Sequence, residues 1–234
     1  GFSKGHYAAF NINHYCGDSE EDISKNRTLL CQLLGIGETN LIMPHQVHQT
    51  EVVAIDKAFL GLSAEVQKAR LEGVDALMTD MAGVCIGVST ADCIPILLFD
   101  KAHHASCAIH AGWRGTVKRI VEKAVAQMMS VYGSRPADIL AQIGPGIHLE
   151  SFEVGDEVYE AFANEGFASD AVKMGPKWHI DLPACNRQQL LASGIPSSQI
   201  SVSPIDTYQQ YDLYFSARRL GINSGRIFTG ILLR

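Results

Sequence analysis

The sequence predicts an α+β fold, a layer of short strands packed against a few helices, and three observations predict it. The middle of the chain is a series of short apolar runs bounded by Gly, Asp or Pro, the pattern of half-buried or fully buried strands. At 116–132 the spacing changes to apolar residues every three or four positions, the mark of an amphipathic helix. Strand runs outnumber the helices that could cross between them, which excludes regular winding of parallel βαβ units.

The strand runs are "EVVAID" (51–56), "ALMTD" (76–80), "GVCIGV" (83–88), "PILLFD" (95–100), "ASCAIH" (105–110) and "ILAQIG" (139–144). In the helix over 116–132, Val117, Ile120, Val121, Ala124, Val125 and Met128 form the apolar stripe, with Thr116 as the expected N-cap and Gly133 as the stop. Further helices fit 156–166 and 183–194, where Pro183 suits a first turn and Gly194 an end. A last strand pair, "QISVSP" (199–204) and "RIFTGILL" (226–233), closes the chain. No repeat, low-complexity tract or linker divides it, so residues 1–234 are expected to form one domain.

Composition narrows the function classes. With 47% hydrophobic and 19% charged residues, 234 residues can bury a substantial core. A formal charge of −6 and a pI of about 5.8 give no general pull toward nucleic acid or anionic lipid, so a small partner is expected. No apolar run approaches the roughly 20 residues that span a bilayer, and no secretory leader opens the chain. The expected location is the cytoplasm. The chain begins at Gly1 rather than Met, so an upstream piece is not excluded, and the oligomeric state is not legible. The six cysteines form no CxxC pair and no disulfide framework; Cys85 and Cys107, inside strand-like runs, are expected to be small core hydrophobes.

Cys93 stands apart. In "VSTADCIPILLFD" it precedes Pro95, which cannot donate to a ladder and marks a strand start, so the thiol belongs at a strand mouth. Asp92 beside it argues the same way, because an unpaired carboxylate is costly in a core. If 95–100 and 105–110 pair as a hairpin, Cys93 and His110 share one open end. In "MPHQVHQTEV", His45 and His48 lie at another strand mouth, with His48 nearer the strand. One thiolate and two imidazoles suit Zn²⁺ and leave a fourth position open. Without a metal, Cys93 and His110 could act as a thiolate–imidazole pair. The unspecific alternative is a set of unrelated polar residues at strand ends. The remaining histidines read as solvated or capping residues, Trp113 as core, and Arg27, Arg114 and the "ARR" at 217–219 as candidate anion-binding groups.

Taken together, "TADCIPILLFD", "AIHAGWRGT", "QVHQTEV" and "IGPGI" resemble the laccase-domain family, once described as multicopper polyphenol oxidases. The resemblance extends through "NRTLL", "FEVGDEV", "DLPACNRQQLLASGI" and "YFSARRLGINSGR". It implies a layered α/β/β/α sandwich of mixed sheets with flanking helices, and a zinc site on His48, Cys93 and His110. Copper is able to take the same ligands in vitro. For activity it implies purine nucleoside chemistry: phosphorolysis of adenosine, inosine, guanosine and methylthioadenosine, and deamination of adenosine. Other members of the family resemble peptidoglycan editing hydrolases that remove a misincorporated amino acid from a cell-wall precursor. The family's short Thr-Arg-x-Gly-Gly start is represented only by its last glycine, and cysteines frequent in the family are replaced at Asp206 and around Glu150 and Ser151.

Polyphenol oxidation is disfavoured by counting, since a multicopper site needs about ten histidines, many as His-x-His, and this chain has nine with no such pair. Purine nucleosides and phosphate are the expected partners, with Arg27 or Arg114 holding phosphate. For deamination Asp92 and Asp75 are the candidate proton carriers, although the HxE…PCxxC signature is absent. Cell-wall editing and a non-enzymatic metal-binding module are the alternatives.

Overall fold

Alternate residues of the central strands leave for opposite faces, and this period of two builds the layers. A computed structural model describing residues 1–234 begins with α1 (Glu20–Leu34), β1 (Leu41–Ile42), β2 (Val52–Ala54), α2 (Lys57–Leu60) and α3 (Ala64–Arg70). Then come β3 (Ala76–Thr79), β4 (Cys85–Thr90), β5 (Ile94–Asp100), β6 (Ala105–Ala111), α4 (Trp113–Val117), α5 (Ile120–Tyr132) and β7 (Ile139–Ile143). The chain ends with β8 (Glu153–Val154), α6 (Asp156–Asn164), β9 (Ala171–Met174), β10 (Lys177–Ile180), α7 (Leu182–Ala192), β11 (Ile200–Val202), α8 (Ala217–Leu220) and β12 (Ile227–Leu232). No helix is long and apolar enough to cross a membrane.

A six-stranded mixed sheet has the order β11-β7-β5-β6-β3-β2, and a three-stranded mixed sheet the order β1-β4-β12. A small antiparallel sheet, β8-β10-β9, stands apart from both. On one face of the six-stranded sheet, Ile94, Ile96 and Leu98 of β5 and Cys107 and Ile109 of β6 pack with Val121 and Val125 of α5 and Leu190 of α7. On the other face, Leu97 and Ala108 meet Ile86 and Val88 of β4. Cys85, of opposite parity to Ile86, packs with Cys31 of α1 and Leu41. The layers are therefore helix, three-stranded sheet, six-stranded sheet, helices, the α/β/β/α order that the resemblance implies. Cys85 and Cys107 are buried thiols within it, as expected.

The expected hairpin forms, with Ile94 opposite Ala111 and Pro95 opposite His110. Two expectations need correction. The helix predicted over 116–132 is two: α4 ends at Val117, and α5 starts at Ile120 after Arg119 adopts a left-handed conformation, φ 63°. Thr116 is not an N-cap because its hydroxyl is taken by Asn186 of α7 at 3.1 Å, in a fully buried contact. The strands near 199–204 and 226–233 do not pair: β11 edges the large sheet beside β7, and β12 lies against β4. Local patterning marks a strand but carries no information about its neighbour. The sequence reading also missed α1, whose apolar residues, Ile23 apart, are bunched in its second half; its signals are Ser19, whose side chain caps Asp22 N, and Gly35 at φ 70°.

The layering predicts unequal costs of truncation. Ile96→Ala, between β5 and the helices, should lower unfolding free energy by about 2–5 kcal/mol, whereas Leu33→Ala on α1, 72% exposed, should change it by no more than about 0.5 kcal/mol. Urea unfolding monitored by circular dichroism measures both, and equal effects would contradict the packing.

Candidate metal centre

The buried carboxylate of Asp75, just before β3, organises the open end of the sandwich. Its Oδ1 accepts His48 N at 3.0 Å and His110 Nδ1 at 2.7 Å, and its Oδ2 accepts Gln49 N at 2.7 Å and Val47 N at 3.3 Å. Its carbonyl accepts His110 N at 2.8 Å. A carboxylate only accepts, so Nδ1 of His110 carries a proton and Nε2 is left for another partner. The loop before β2 is held by three successive amides, and this is what maintains His48 at φ 61°, a conformation costly for a residue with a side chain.

Cys93 sits one residue before β5, as its Pro95 neighbour predicted. Behind it packs the "IGPGI" turn: Ile147 N donates to Asp92 O at 2.8 Å, and a Cβ on Gly146 would lie 3.3 Å from Cys93 O. The turn supports the thiol segment. The donor atoms of His48, Cys93 and His110 all lie within 4.8 Å of one another, and the two imidazoles meet edge to face with centroids 4.8 Å apart. A Cβ on Gly112 would come within 2.8 Å of His48 Cδ2 and 3.1 Å of Cys93 Sγ, so the glycine gives the triplet its room. A soft thiolate and two imidazoles, one of them oriented from behind by Asp75, fit a tetrahedral ion with one open position.

Electrostatics support the same grouping. Burial pushes the Cys93 thiol up, but the charge of His110 and hydrogen bonds from both histidines outweigh it and hold the thiol at about 6. Burial pulls the His110 imidazole down, yet the Cys93 thiolate and the Asp75 carboxylate raise it to about 9. In the metal-free chain the two form a thiolate–imidazolium pair at neutral pH. Burial works against the Asp75 carboxylate too, and His110 with the Gln49 and Val47 amides holds it below the usual range.

The triplet lies in a cavity of about 630 Å³ at the ends of β4 and β6. Of the other residues expected in the site, none lines it. The Asp92 carboxylate is taken by Thr207 Oγ1 at 2.9 Å and Arg218 N at 2.7 Å, tying the strand mouth to the C-terminal segment. Asp75 is fully buried behind the triplet. Arg27 lines a neighbouring pocket and donates to Leu41 O and to Met43 Sδ. Arg114 lies over the Trp113 ring at 4.3 Å, and Trp113 itself packs on the core. The cavity's arginine is instead Arg226, joined by Asn13, Tyr15, His45 and Asn223. His45 has a signal in sequence because it shares the "PHQVH" stretch with His48, and Asn223 and Arg226 fall in the "YFSARRLGINSGR" stretch of the resemblance without being singled out there; Asn13 and Tyr15 come from a segment remote along the chain.

A family model described as multi-copper polyphenol oxidoreductase laccase matches residues 1–234. The chain belongs to this family. A Bacteroides thetaiotaomicron protein named purine nucleoside phosphorylase is 46% identical over 237 residues, spanning 100% of this chain and 88% of its own length. A protein of an unknown prokaryotic organism named adenosine deaminase RL5 is also 46% identical, covering 96% of this chain and 87% of its own. The crystal structure of YlmD from Geobacillus stearothermophilus superposes with a TM-score of 0.92 at 32% identity, over 99% of this chain and 87% of that one. These family relatives carry enzyme names, and their agreement extends over the whole layered fold.

Two measurements probe the centre. Asp75→Asn should weaken zinc binding by about 10–100-fold in a chelator competition, because the residue behind the ligands is lost while the ligands remain. In metal-free protein, iodoacetamide labelling of Cys93 should be half-maximal near pH 6, rising above it and falling below as the thiolate protonates. Cys85 is pushed up to about 11, and burial also raises Cys31, Cys107 and Cys185. An apparent pKa near 8.5, that of a free cysteine, would contradict the thiolate–imidazolium pair.

Proposed function

We propose that the chain is a zinc-dependent purine nucleoside enzyme, cleaving adenosine, inosine, guanosine or methylthioadenosine by phosphorolysis and deaminating adenosine, and working in the cytoplasm. The observation that carries this reading is the His48–Cys93–His110 triplet opening onto a cavity of about 630 Å³, within the range of small-molecule sites. A structural ion is enclosed by four protein ligands, whereas three donors facing a cavity favour chemistry. The names of the relatives supply the substrate class.

His48, Cys93 and His110 would hold the zinc ion, which when bound supplies a Lewis acid able to polarise a ring nitrogen or an oxygen placed against it. One cluster of donors favours one ion over a multicopper array. The protein's own groups supply orientation. Gln46 holds the ligand loop to β4 by accepting Ser89 N at 2.7 Å and donating to Ser89 O at 2.8 Å. Arg226 lines the cavity with its guanidinium fixed on the carbonyls of Ile222 and Gly225. It, rather than Arg27 or Arg114, would take the phosphate role, its charge favouring an anionic co-substrate in a lining without carboxylates. Neither aspartate of the sequence reading faces the cavity and no carboxylate lines it, so phosphorolysis asks less of this lining than deamination does.

The test is a product assay on zinc-loaded protein and adenosine, with and without phosphate. The expected products are adenine with ribose 1-phosphate when phosphate is present, and inosine where deamination occurs. His110→Ala should lower kcat/KM by at least about 100-fold, more than loss of a group behind a ligand, with the fold retained by circular dichroism. Formation of neither adenine nor inosine by the wild-type protein would refute the reading.

A further inference from the structure

Purine departure needs a proton, and the cavity offers few carriers. Breaking the C1′–N9 bond leaves negative charge on the purine, which becomes a good leaving group when N7 is protonated. Apart from the triplet and Arg226, the titratable residues lining the cavity are Tyr15, Cys16 and His45. Cys16 is buried, its Sγ held between Asn11 Nδ2 at 3.3 Å and Asn13 O at 3.4 Å. His45 is arranged differently. Its Nδ1 lies 2.7 Å from Glu72 Oε1, so the carboxylate fixes the proton on Nδ1, and Nε2 has no protein partner.

The imidazole is also immobilised. His45 N donates to Leu71 O and Gly73 N donates to His45 O, each at 3.0 Å, so the backbone is clamped on both sides of Glu72. Its ring stacks on Tyr15 with centroids 3.9 Å apart and an interplanar angle of 21°. A surface histidine held only by solvent would show neither the clamp nor the stack. A carboxylate-oriented, half-buried imidazole with a free Nε2 in the same cavity as the metal-capable triplet has the form of a general acid–base group.

We infer that His45, oriented by Glu72 and Tyr15, is the general acid that protonates the departing purine; this rests on the nucleoside reading above. In the step, a phosphate oxygen forms a bond to C1′ as the C1′–N9 bond breaks and its electron pair passes to the base. In this step His45 acts as the imidazolium, its Nδ1–H on Glu72 and a second proton on Nε2; the Nε2 proton goes to N7, giving neutral purine and ribose 1-phosphate, and the imidazole left behind recovers a proton at Nε2 from solvent.

The experiment compares guanosine with 7-methylguanosine, whose quaternised N7 makes the base leave without a proton, each with phosphate and zinc-loaded protein. His45→Phe keeps a ring for Tyr15 and removes the acid. It should lower kcat on guanosine by about 100-fold or more while lowering kcat on 7-methylguanosine by less than about 3-fold. Glu72→Gln, which leaves the imidazole present but less firmly oriented, should show the same selectivity at smaller amplitude, and it decides the question if the phenylalanine variant fails to fold or to bind zinc. Equal losses on both nucleosides would overturn the assignment to His45 and leave the nucleoside reading standing. A wild-type protein inert on both would remove that reading and this acid with it.

Discussion

A buried carboxylate is expensive unless donors surround it, and Asp75 has four hydrogen bonds to its side chain, three from one loop and one from His110. The important detail is that one oxygen, Oδ1, receives both His48 N and His110 Nδ1. Two candidate ligands that are 62 positions apart in sequence, 48 and 110, are thereby referred to a single atom. The left-handed backbone of His48 is unfavourable in isolation and persists because those amides are bound. The centre's geometry, the tautomer of one ligand and the strain in the other therefore share one cause.

Around that atom the fold supplies rigid walls from several layers. The β5–β6 hairpin sets Cys93 and His110 at one end, Gln46 fastens the His48 loop to β4, and Gly112 keeps the space between ligands clear. Asp92 contributes at one remove. By holding Thr207 and Arg218 it fastens the C-terminal segment that brings Ala217, Ile222, Asn223 and Arg226 to the cavity. A residue whose position beside a thiol suggests a reacting group is thus a strut between the triplet and the C-terminal wall of the cavity. Its own left-handed backbone, φ 82°, turns the chain so that Cys93 and the Asp92 carboxylate serve different partners.

What the sequence made legible was whatever depends on neighbours within a few residues. Strand runs and the thiol at a strand mouth follow from Pro95 and short apolar runs, and once the two runs pair as a hairpin they bring Cys93 and His110 to one end. Distance to a strand singles out His48 from two histidines, a local criterion that carries nothing of the loop geometry imposed by Asp75. Contacts that depend on packing of remote segments were not legible. Thr116 looks like a cap until Asn186 takes its hydroxyl, and β12 looks like a partner for β11 until β4 takes it. Arg27 and Arg114 were chosen for their charge, but whether a guanidinium reaches a cavity is decided by the layer its helix packs on. Arg226, which does line it, arrives on the segment leading into β12 from the far end of the chain.

The charge state of the centre connects stability of the site to its chemistry. With the Cys93 thiol at about 6 and the His110 imidazole at about 9, the metal-free chain at neutral pH already carries the thiolate that a soft ion requires. The proton to be displaced by such an ion is the one on His110 Nε2, since Nδ1 stays committed to Asp75. Binding at neutral pH then exchanges one proton for a divalent charge beside a fixed carboxylate, and the carboxylate, already paired and fully buried, need not reorganise. The cavity side of the triplet, with no carboxylate of its own, is left to an imidazole and a guanidinium. The Asp75 carboxylate thus stands behind the triplet, while the His45 imidazole and the Arg226 guanidinium line the cavity in front of it, an arrangement that favours an anion over a cation there.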